Sequence, residues 1–255
     1  MGAPEFVQES PGVTVFSGGS LSTVRAEQIA RAIRCILDRR AIIWSARVRV
    51  KTGLCGRGPM VVQVNTRVGD LPARMVAVTS GVDDLVPALA RLDRQLARLC
   101  APWRPRPWPD ETRRLMTVGP NAVVARRKSV VLQRMDPMDA VRVMDAMDYD
   151  VNLFTDAETG EDAVVYRAGP SGLRLARQQH VRPPGWVWSP GSSGPPVPLI
   201  VNPRAAPVLS KDVAVHRAGE HGVRHLFYTD EATGRGQLLY PRYDGNLGLI
   251  TPSHQ

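Results

Sequence analysis

Apolar and polar positions recur along this chain in segments that can be read one at a time. Residues 44–51 alternate cleanly, with Trp44, Ala46, Val48 and Val50 on one side and Ser45, Arg47, Arg49 and Lys51 on the other. A period of two predicts a half-buried antiparallel strand. Val13 to Phe16, Met60 to Val68 and Ala73 to Thr79 read as three more strands, the last two joined by a turn at Gly69-Asp70. Leu21 to Arg40 has the helical period and starts near Ser22 or Thr23. Ile29, Ile33, Ile36 and Leu37 mark its core side, and Arg31, Arg34, Asp38, Arg39 and Arg40 lie off it. A second helix, opening at Asp83 or Asp84, lines up Leu85, Leu89, Leu92, Leu96 and Leu99, with Arg91, Arg94 and Arg98 beside that seam. The order is β-α-β-β-β-α, an α+β domain with a four-stranded sheet and two helices on one face. Met1 to Pro11 reads as polar and frayed.

The second half is organised by a repeat. Leu153-Phe154-Thr155-Asp156-Ala157-Glu158-Thr159-Gly160 returns as Phe227-Tyr228-Thr229-Asp230-Glu231-Ala232-Thr233-Gly234, 74 positions later (153 to 227). Val164-Val165-Tyr166 returns as Leu238-Leu239-Tyr240, and Leu173 and Leu175 as Leu247 and Leu249, at the same spacing. A constant offset over two dozen positions marks an internal duplication. Each copy reads as a helix followed by a three-stranded meander. Asp136 and Pro137 open the first helix and Ser210 caps the second. Ala140, Val143, Met144 and Met147 form one apolar helix face; Ala214, Ala218 and His221 form the other. Turns fall at Asp156 to Gly160 and Gly169 to Gly172. One more strand precedes each helix, at Ser129 to Leu132 and at Leu199 to Asn202, giving two tandem small β-α-β-β-β units.

Proline and glycine mark the boundaries. Residues 1–100 form the first domain and 101–120 a stiff, basic, Pro-rich linker whose Trp103 and Trp108 are read as anchors to a domain, with stacking on bases the other use of such rings. Residues 121–176 are the first C-terminal copy, 177–196 a Pro/Gly/Ser linker with Trp186 and Trp188, and 197–255 the second copy. No apolar run is long enough to span a bilayer, and no signal sequence opens the chain. Cys35, Cys55 and Cys100 are widely spaced, which fits a reducing cytoplasm. The formal net charge is +9. Residues 1–109 carry 16 Arg and Lys against 8 Asp and Glu, whereas residues 110–255 carry 17 against 16. Positive charge concentrated on one domain points to a polyanionic partner.

Three stretches carry a family resemblance. Arg127-Lys128 through Met138-Asp139-Ala140 to Val165-Tyr166-Arg167 resembles the C-terminal domain of the long-form ribosome hibernation-promoting factors. Tyr240-Pro241-Arg242-Tyr243-Asp244-Gly245-Asn246-Leu247-Gly248-Leu249-Ile250 is similar to that family's ending. The domain order and Leu92-Asp93-Arg94-Gln95-Leu96 are similar to its ribosome-binding domain. The length and the doubled ending are most similar to the mycobacterial branch induced under hypoxia. The resemblance implies a factor that occupies the decoding groove of the small subunit in the 70S ribosome during stress or dormancy. There it would exclude mRNA and the A- and P-site tRNAs and touch 16S rRNA and ribosomal proteins. The residues expected to meet rRNA phosphates are Arg31, Arg34, Arg39, Arg40, Arg47, Arg49, Lys51, Arg91, Arg94 and Arg98, since the guanidinium fork suits phosphate. Long forms carry one C-terminal copy, which joins two ribosomes by pairing with another molecule's. This chain carries two, on a short tether that gives an effective concentration of about millimolar. The expectation is that they pair within one molecule, through Phe154, Val165, Tyr166, Tyr228, Leu239 and Tyr240, and that ribosomes stay monomeric.

Enzyme chemistry finds no support. Gly53-x-x-Gly56-x-Gly58 sits between strands, not before a helix, and no P-loop, GxSxG or HExxH is present. His216, His221 and His225 are close in sequence, but their counterparts Arg142, Met147 and Val151 are not ligands, so no metal is expected. Asp136, Asp139, Asp145, Asp148 and Asp150 read as caps and a solvated helix face. No cofactor, small-molecule substrate or membrane partner is implied. The rival reading is a non-ribosomal RNA-binding or transcription-regulating module.

Overall fold

The computed structural model describes residues 5–10, 12–18, 21–51, 60–81, 84–106, 108–110, 116–119, 121–168, 172–188 and 198–253. It divides into two compact units. The first comprises Met1–Arg104, Asp110–Arg114 and Asp145–Asp148; the second comprises Pro105–Pro109, Leu115–Met144 and Tyr149–Gln255.

The first unit runs β1 (Glu5–Ser10), β2 (Val13–Gly18), α1 (Thr23–Arg39), β3 (Ala46–Lys51), β4 (Met60–Val68), β5 (Leu71–Thr79) and α2 (Val86–Cys100). The sheet order is β1-β2-β3-β4-β5, with β2 and β3 parallel and the other neighbours antiparallel. The expected strands and helices are present, and residues 5–10, read as frayed, add an edge strand on β2. The Ser22 hydroxyl accepts from the Arg25 N–H and starts α1. Ile29, Ile33 and Leu37 then pack with Val15, Val48, Val50, Met60, Val62 and Leu96 in one core. Trp44 departs from the expected alternation. It precedes β3, is 42 % exposed, and lies under the Arg67 guanidinium at 5.1 Å. Cys55 and the glycine-rich stretch around it lie outside the described residues.

The edge of the first unit's sheet is closed by charge. At β5, the Val76 N–H donates to Asp148 at 2.9 Å and the Val76 carbonyl accepts from Arg91 Nε at 3.1 Å. Arg91 also binds Asp148 at 2.7 Å and Asp110 at 3.0 Å. Both backbone groups of this edge residue are thereby satisfied, which blocks pairing with another strand at that position. Asp148 has a φ of 52°, a left-handed conformation that aspartate tolerates better than most residues.

The second unit holds both copies. It runs β6 (Val124–Val130), β7 (Arg134–Met135), α3 (Pro137–Ala146), β8 (Val151–Asp156), β9 (Asp162–Tyr166), β10 (Arg174–Arg177), β11 (Val187–Trp188), β12 (Leu199–Val201), β13 (Val208–Leu209), α4 (Lys211–Glu220), β14 (Leu226–Asp230), β15 (Gly236–Pro241) and β16 (Leu247–Pro252). Asp136 accepts from the Met138 N–H, and Ser210 from the Val213 N–H, as the caps of α3 and α4. Gly160 and Gly234, equivalent in the repeat, both take the positive φ that their turns require, at 75° and 66°.

The further strand expected upstream of each helix does not join its own copy. β6 pairs in parallel with β16 of the second copy, and β12 pairs in parallel with β10 of the first. The exchange is reciprocal. Leu249 lies opposite Arg127 and Leu175 opposite Val201, and each of these matches is related to the other by the 74-residue offset. The expected strand at Ser129 to Leu132 is displaced accordingly, to Val124–Val130. Short strands β7 and β13 instead close one end of each sheet, beside β8 and β14.

Two kinds of core result. Ala214, Ala218, Tyr228, Leu239, Leu247 and Leu249 pack under α4 within the second copy. Val164 and Ala176 of the first copy meet Phe227 and Leu238 of the second in a shared cluster, flanked by Leu153, Tyr166 and Ile250. The Asp162 carboxylate accepts from Arg235 Nε and from the Gly236 N–H, both at 2.8 Å. The Gln178 side-chain amide donates to Thr229 and to the Gly234 carbonyl. His225 meets the Tyr166 ring edge-on at 4.7 Å between centroids. Burial, with Arg224 adding in the same direction, lowers His225 to about 4.

Arg91→Met removes the ion pair of a carboxylate whose side chain is 0 % exposed. The expected cost is about 3–5 kcal/mol, read by urea denaturation of the first unit. Arg40→Met, at a part-exposed pair, should leave the midpoint nearly unmoved. A second expectation concerns acid. A histidine lowered from 6.5 to about 4 on folding favours the native state above 6.5, and that contribution is lost as pH falls towards 4. His225→Val, the residue type of the first copy at that position, should flatten the pH dependence of second-unit stability between pH 7 and 4.5 by about 2 kcal/mol. Equal slopes in the two proteins would contradict the assignment.

Candidate nucleic-acid interface

The sheet of the first unit sorts its side chains by the strand period. On β3, Ala46, Val48 and Val50 are buried towards the helices, while Arg47 and Arg49 are exposed on the opposite face and Lys51 is half-buried there. Arg47 lies opposite Asn65 on β4, and Asn65 opposite Arg74 on β5. Asn65 Oδ1 accepts from Arg74 Nε at 2.7 Å, which fixes a polar row across the open face. Arg67, two residues along β4, is exposed on the same face and covers Trp44. β2 to β5 contain no Asp or Glu. This face therefore brings five basic side chains onto strands that contribute no acidic residue, with an exposed indole at its margin.

The helix side is more mixed. Arg31, Arg39 and Arg94 are exposed. Arg34 is paired with Asp38 one turn on. Arg40 is bidentate to Asp93, at 3.0 and 2.9 Å, and that contact holds the Asp93 carboxyl below its usual range. Arg98 is half-buried and reaches Gln95. Arg91 is not a surface cation at all; it is 4 % exposed and spent on Asp110, Asp148 and Val76. Its position was masked by the leucines. The buried stripe of α2 is Ala88, Arg91, Leu92, Gln95 and Leu96, rotated from the leucine seam. The ten expected residues thus do not converge on one surface. Three lie on the open sheet face and six on the helix side. Arg67, Arg74 and Trp44, outside the expected set, belong with the sheet residues. The β-period that assigns Arg47 and Arg49 would have found both arginines.

The expected pairing residues separate too. Tyr228 and Leu239 lie in the second copy's own core, under α4. Their counterparts Phe154 and Val165 are 1 % and 0 % exposed, and neither belongs to the shared cluster. Tyr166 packs against that cluster, but Tyr240 lies over Gly248 and under Lys128. Phe154, Val165, Tyr228 and Leu239 thus lie one residue out of phase with the shared surface; their neighbours Leu153, Val164, Phe227 and Leu238 face the sister copy. A shift of one position exchanges the two faces of a strand.

Other candidate groups are dispersed. His216 pairs with Glu220, and His221 is exposed rather than on the apolar face of α4. Among the described residues no three His, Cys, Asp or Glu side chains gather as metal ligands, and no helix is long and apolar enough to cross a membrane. Trp186 and Trp188, expected in a linker, line a cavity of about 480 Å³ with Glu158, Arg177 and Arg182. Arg177 is buried there between Asp156 and Glu158 and holds the Glu158 carboxyl below its usual range.

Known proteins match both halves of this arrangement. Residues 120–175 match the family described as Sigma 54 modulation/S30EA ribosomal protein C terminus. The whole chain is 61 % identical over 250 residues to the Dormancy associated translation inhibitor of Mycobacterium tuberculosis, in strains CDC 1551 / Oshkosh and ATCC 25618 / H37Rv. The alignment covers 98 % of this chain and 92 % of each relative. With an α+β first unit, a matched C-terminal copy and near-complete coverage of these relatives, the chain belongs to the long-form ribosome hibernation-promoting factor family, with its C-terminal domain duplicated.

Proposed function

We propose that this protein is a cytoplasmic translation inhibitor that silences ribosomes in stress or dormancy, hypoxia included. Its first unit occupies the decoding groove of the small subunit in the 70S particle and excludes mRNA and the A- and P-site tRNAs. The likeness to the dormancy inhibitor across 98 % of the chain carries this reading. The basic sheet face supports it. Arg47, Arg49, Lys51, Arg67 and Arg74 meet 16S rRNA phosphates, and Trp44 offers a stacking surface at the rim. Arg31, Arg34, Arg39, Arg40, Arg94 and Arg98 supply a second set of contacts from the helices, to rRNA or to ribosomal proteins. Arg91 is withdrawn from the binding set. Occupancy alone inhibits, so no catalytic group is required.

The second unit acts on its own sister copy. The shared apolar cluster and the Asp162 contacts support pairing of the two copies within one chain. Paired copies leave no vacant surface for a second molecule, so the inhibited ribosomes remain monomers.

Two measurements test this. Arg47→Ala with Arg49→Ala should weaken co-sedimentation with 70S particles by about tenfold at 0.15 M salt and reduce the salt slope by about two. Unchanged binding would remove the sheet face from the interface. Gradient sedimentation of ribosomes with saturating protein should show inhibited monomers only. A dimer peak that appears with the protein contradicts the pairing, and comparable affinity for naked RNA favours a non-ribosomal role.

A further inference from the structure

The shared surface is built from equivalent positions of the repeat, but the two copies supply different residues there. Leu153 corresponds to Phe227, Val164 to Leu238 and Ala176 to Ile250, and all six border one cluster. At each position the first copy carries the smaller side chain and the second the larger. Charge divides the same way. Asp162 corresponds to Gly236, and these two counterparts touch: the Gly236 N–H donates to the Asp162 carboxylate at 2.8 Å. In a reciprocal pairing, residues that contact their own counterparts lie at the local two-fold axis. A Cβ on Gly236 would stand 2.7 Å from the Asp162 Cβ, so only one copy can carry a side chain there. The next position repeats the division, with Glu161 in the first copy and Arg235 in the second. Arg235 Nε reaches Asp162 at 2.8 Å and its Nη2 at 3.2 Å.

From this we infer that the copies are a complementary pair, each able to accept the other and unable to accept its own kind. The inference rests on the proposed pairing and adds its selectivity. Two first copies facing each other would place Asp162 against Asp162, with Glu161 in place of the arginine, around an underfilled core. Two second copies would oppose Phe227, Leu238 and Ile250 to themselves, leaving Arg235 without the carboxylate. Interiors penalise both cavities and excess volume, and like charges at a buried axis oppose association. The partner of this surface is therefore the opposite copy, and a single-copy domain resembling the first is refused.

Exchange of the residues tests it in the full chain. Leu153→Phe with Val164→Leu oversizes the cluster; Phe227→Leu with Leu238→Val undersizes it. Amide hydrogen exchange of β9 and β15 in the free protein should accelerate by about tenfold or more in each set. The four substitutions together restore the summed volume and should return protection to within about threefold of the parent. Arg235→Glu, at a half-exposed side chain, gives the second copy the first copy's charge and should accelerate exchange by about tenfold. Protection of β4 in the same samples reports that the first unit stays folded. Parental protection in either two-residue set or in Arg235→Glu overturns the inference, and so does a combined set no better protected than its halves. Because ribosomes are absent, the result is independent of inhibition. Selectivity could fail while ribosomes are still silenced, and the reverse.

Discussion

The constraint on which the C-terminal half depends is that each small sheet is apolar on both faces. On β9 Asp162, Ala163, Val164 and Val165 are all buried, and on β15 so are Gly236, Gln237, Leu238 and Leu239. A single helix covers only one face of such a sheet. The other face needs a second layer, and units this small cannot supply one from their own residues. The sister copy is that layer. Burial of Val164, Ala176, Phe227 and Leu238 stabilises each copy only in the presence of the other, at roughly 25 cal/mol per Å² of apolar surface removed from water. Polar groups at this seam are satisfied across it, which is why Asp162 and Gln178 can be buried there without the usual penalty.

Charge plays different parts in the two units. In the first it is arranged by strand period, so that Arg47, Arg49, Arg67 and Arg74 share a face to which β2 to β5 contribute no acidic residue. In the second it is used in pairs at closed positions, Asp162 with Arg235 and Arg177 with Asp156 and Glu158. The arginine excess of the chain therefore does not measure its capacity for nucleic acid. Arg91 and Arg177 are both buried and both structural, whereas Arg47 and Arg67 are exposed.

Local features were legible in the residue order. The Ser22 cap, the bounds of β4, the helix starts at Pro137 and Ser210, and the duplicated turns at Gly160 and Gly234 follow from side-chain chemistry within a few residues. Long-range features were not. Arg91 resembled its exposed neighbour Arg94 until Asp148, 57 positions away, claimed it. Phe154, Val165, Tyr228 and Leu239 fall one residue out of phase because both faces are apolar, and alternation then carries no contrast. The partner of β6 lies over a hundred positions further on, and nothing in Val124–Val130 announces it. For the proposed interface the alternating strand was sufficient to place Arg47 and Arg49 on one exposed face. The leucine seam of α2 misled because it hid polar residues within the buried stripe.

Crossing over of β6 and β12 has a bearing on how the chain is made. Residues 124–130 emerge from a translating ribosome about 120 residues before their partner at 247–252, an interval on the order of ten seconds at ordinary elongation rates. Through that time the strand's backbone has only water as its partner, and Arg126, Arg127 and Lys128 give the unpaired strand the charge that discourages edge pairing. A nascent chain halted anywhere before β16 would leave this half incomplete and exposed to proteolysis. Maturation of the C-terminal half is thereby tied to the last stretch of its own synthesis.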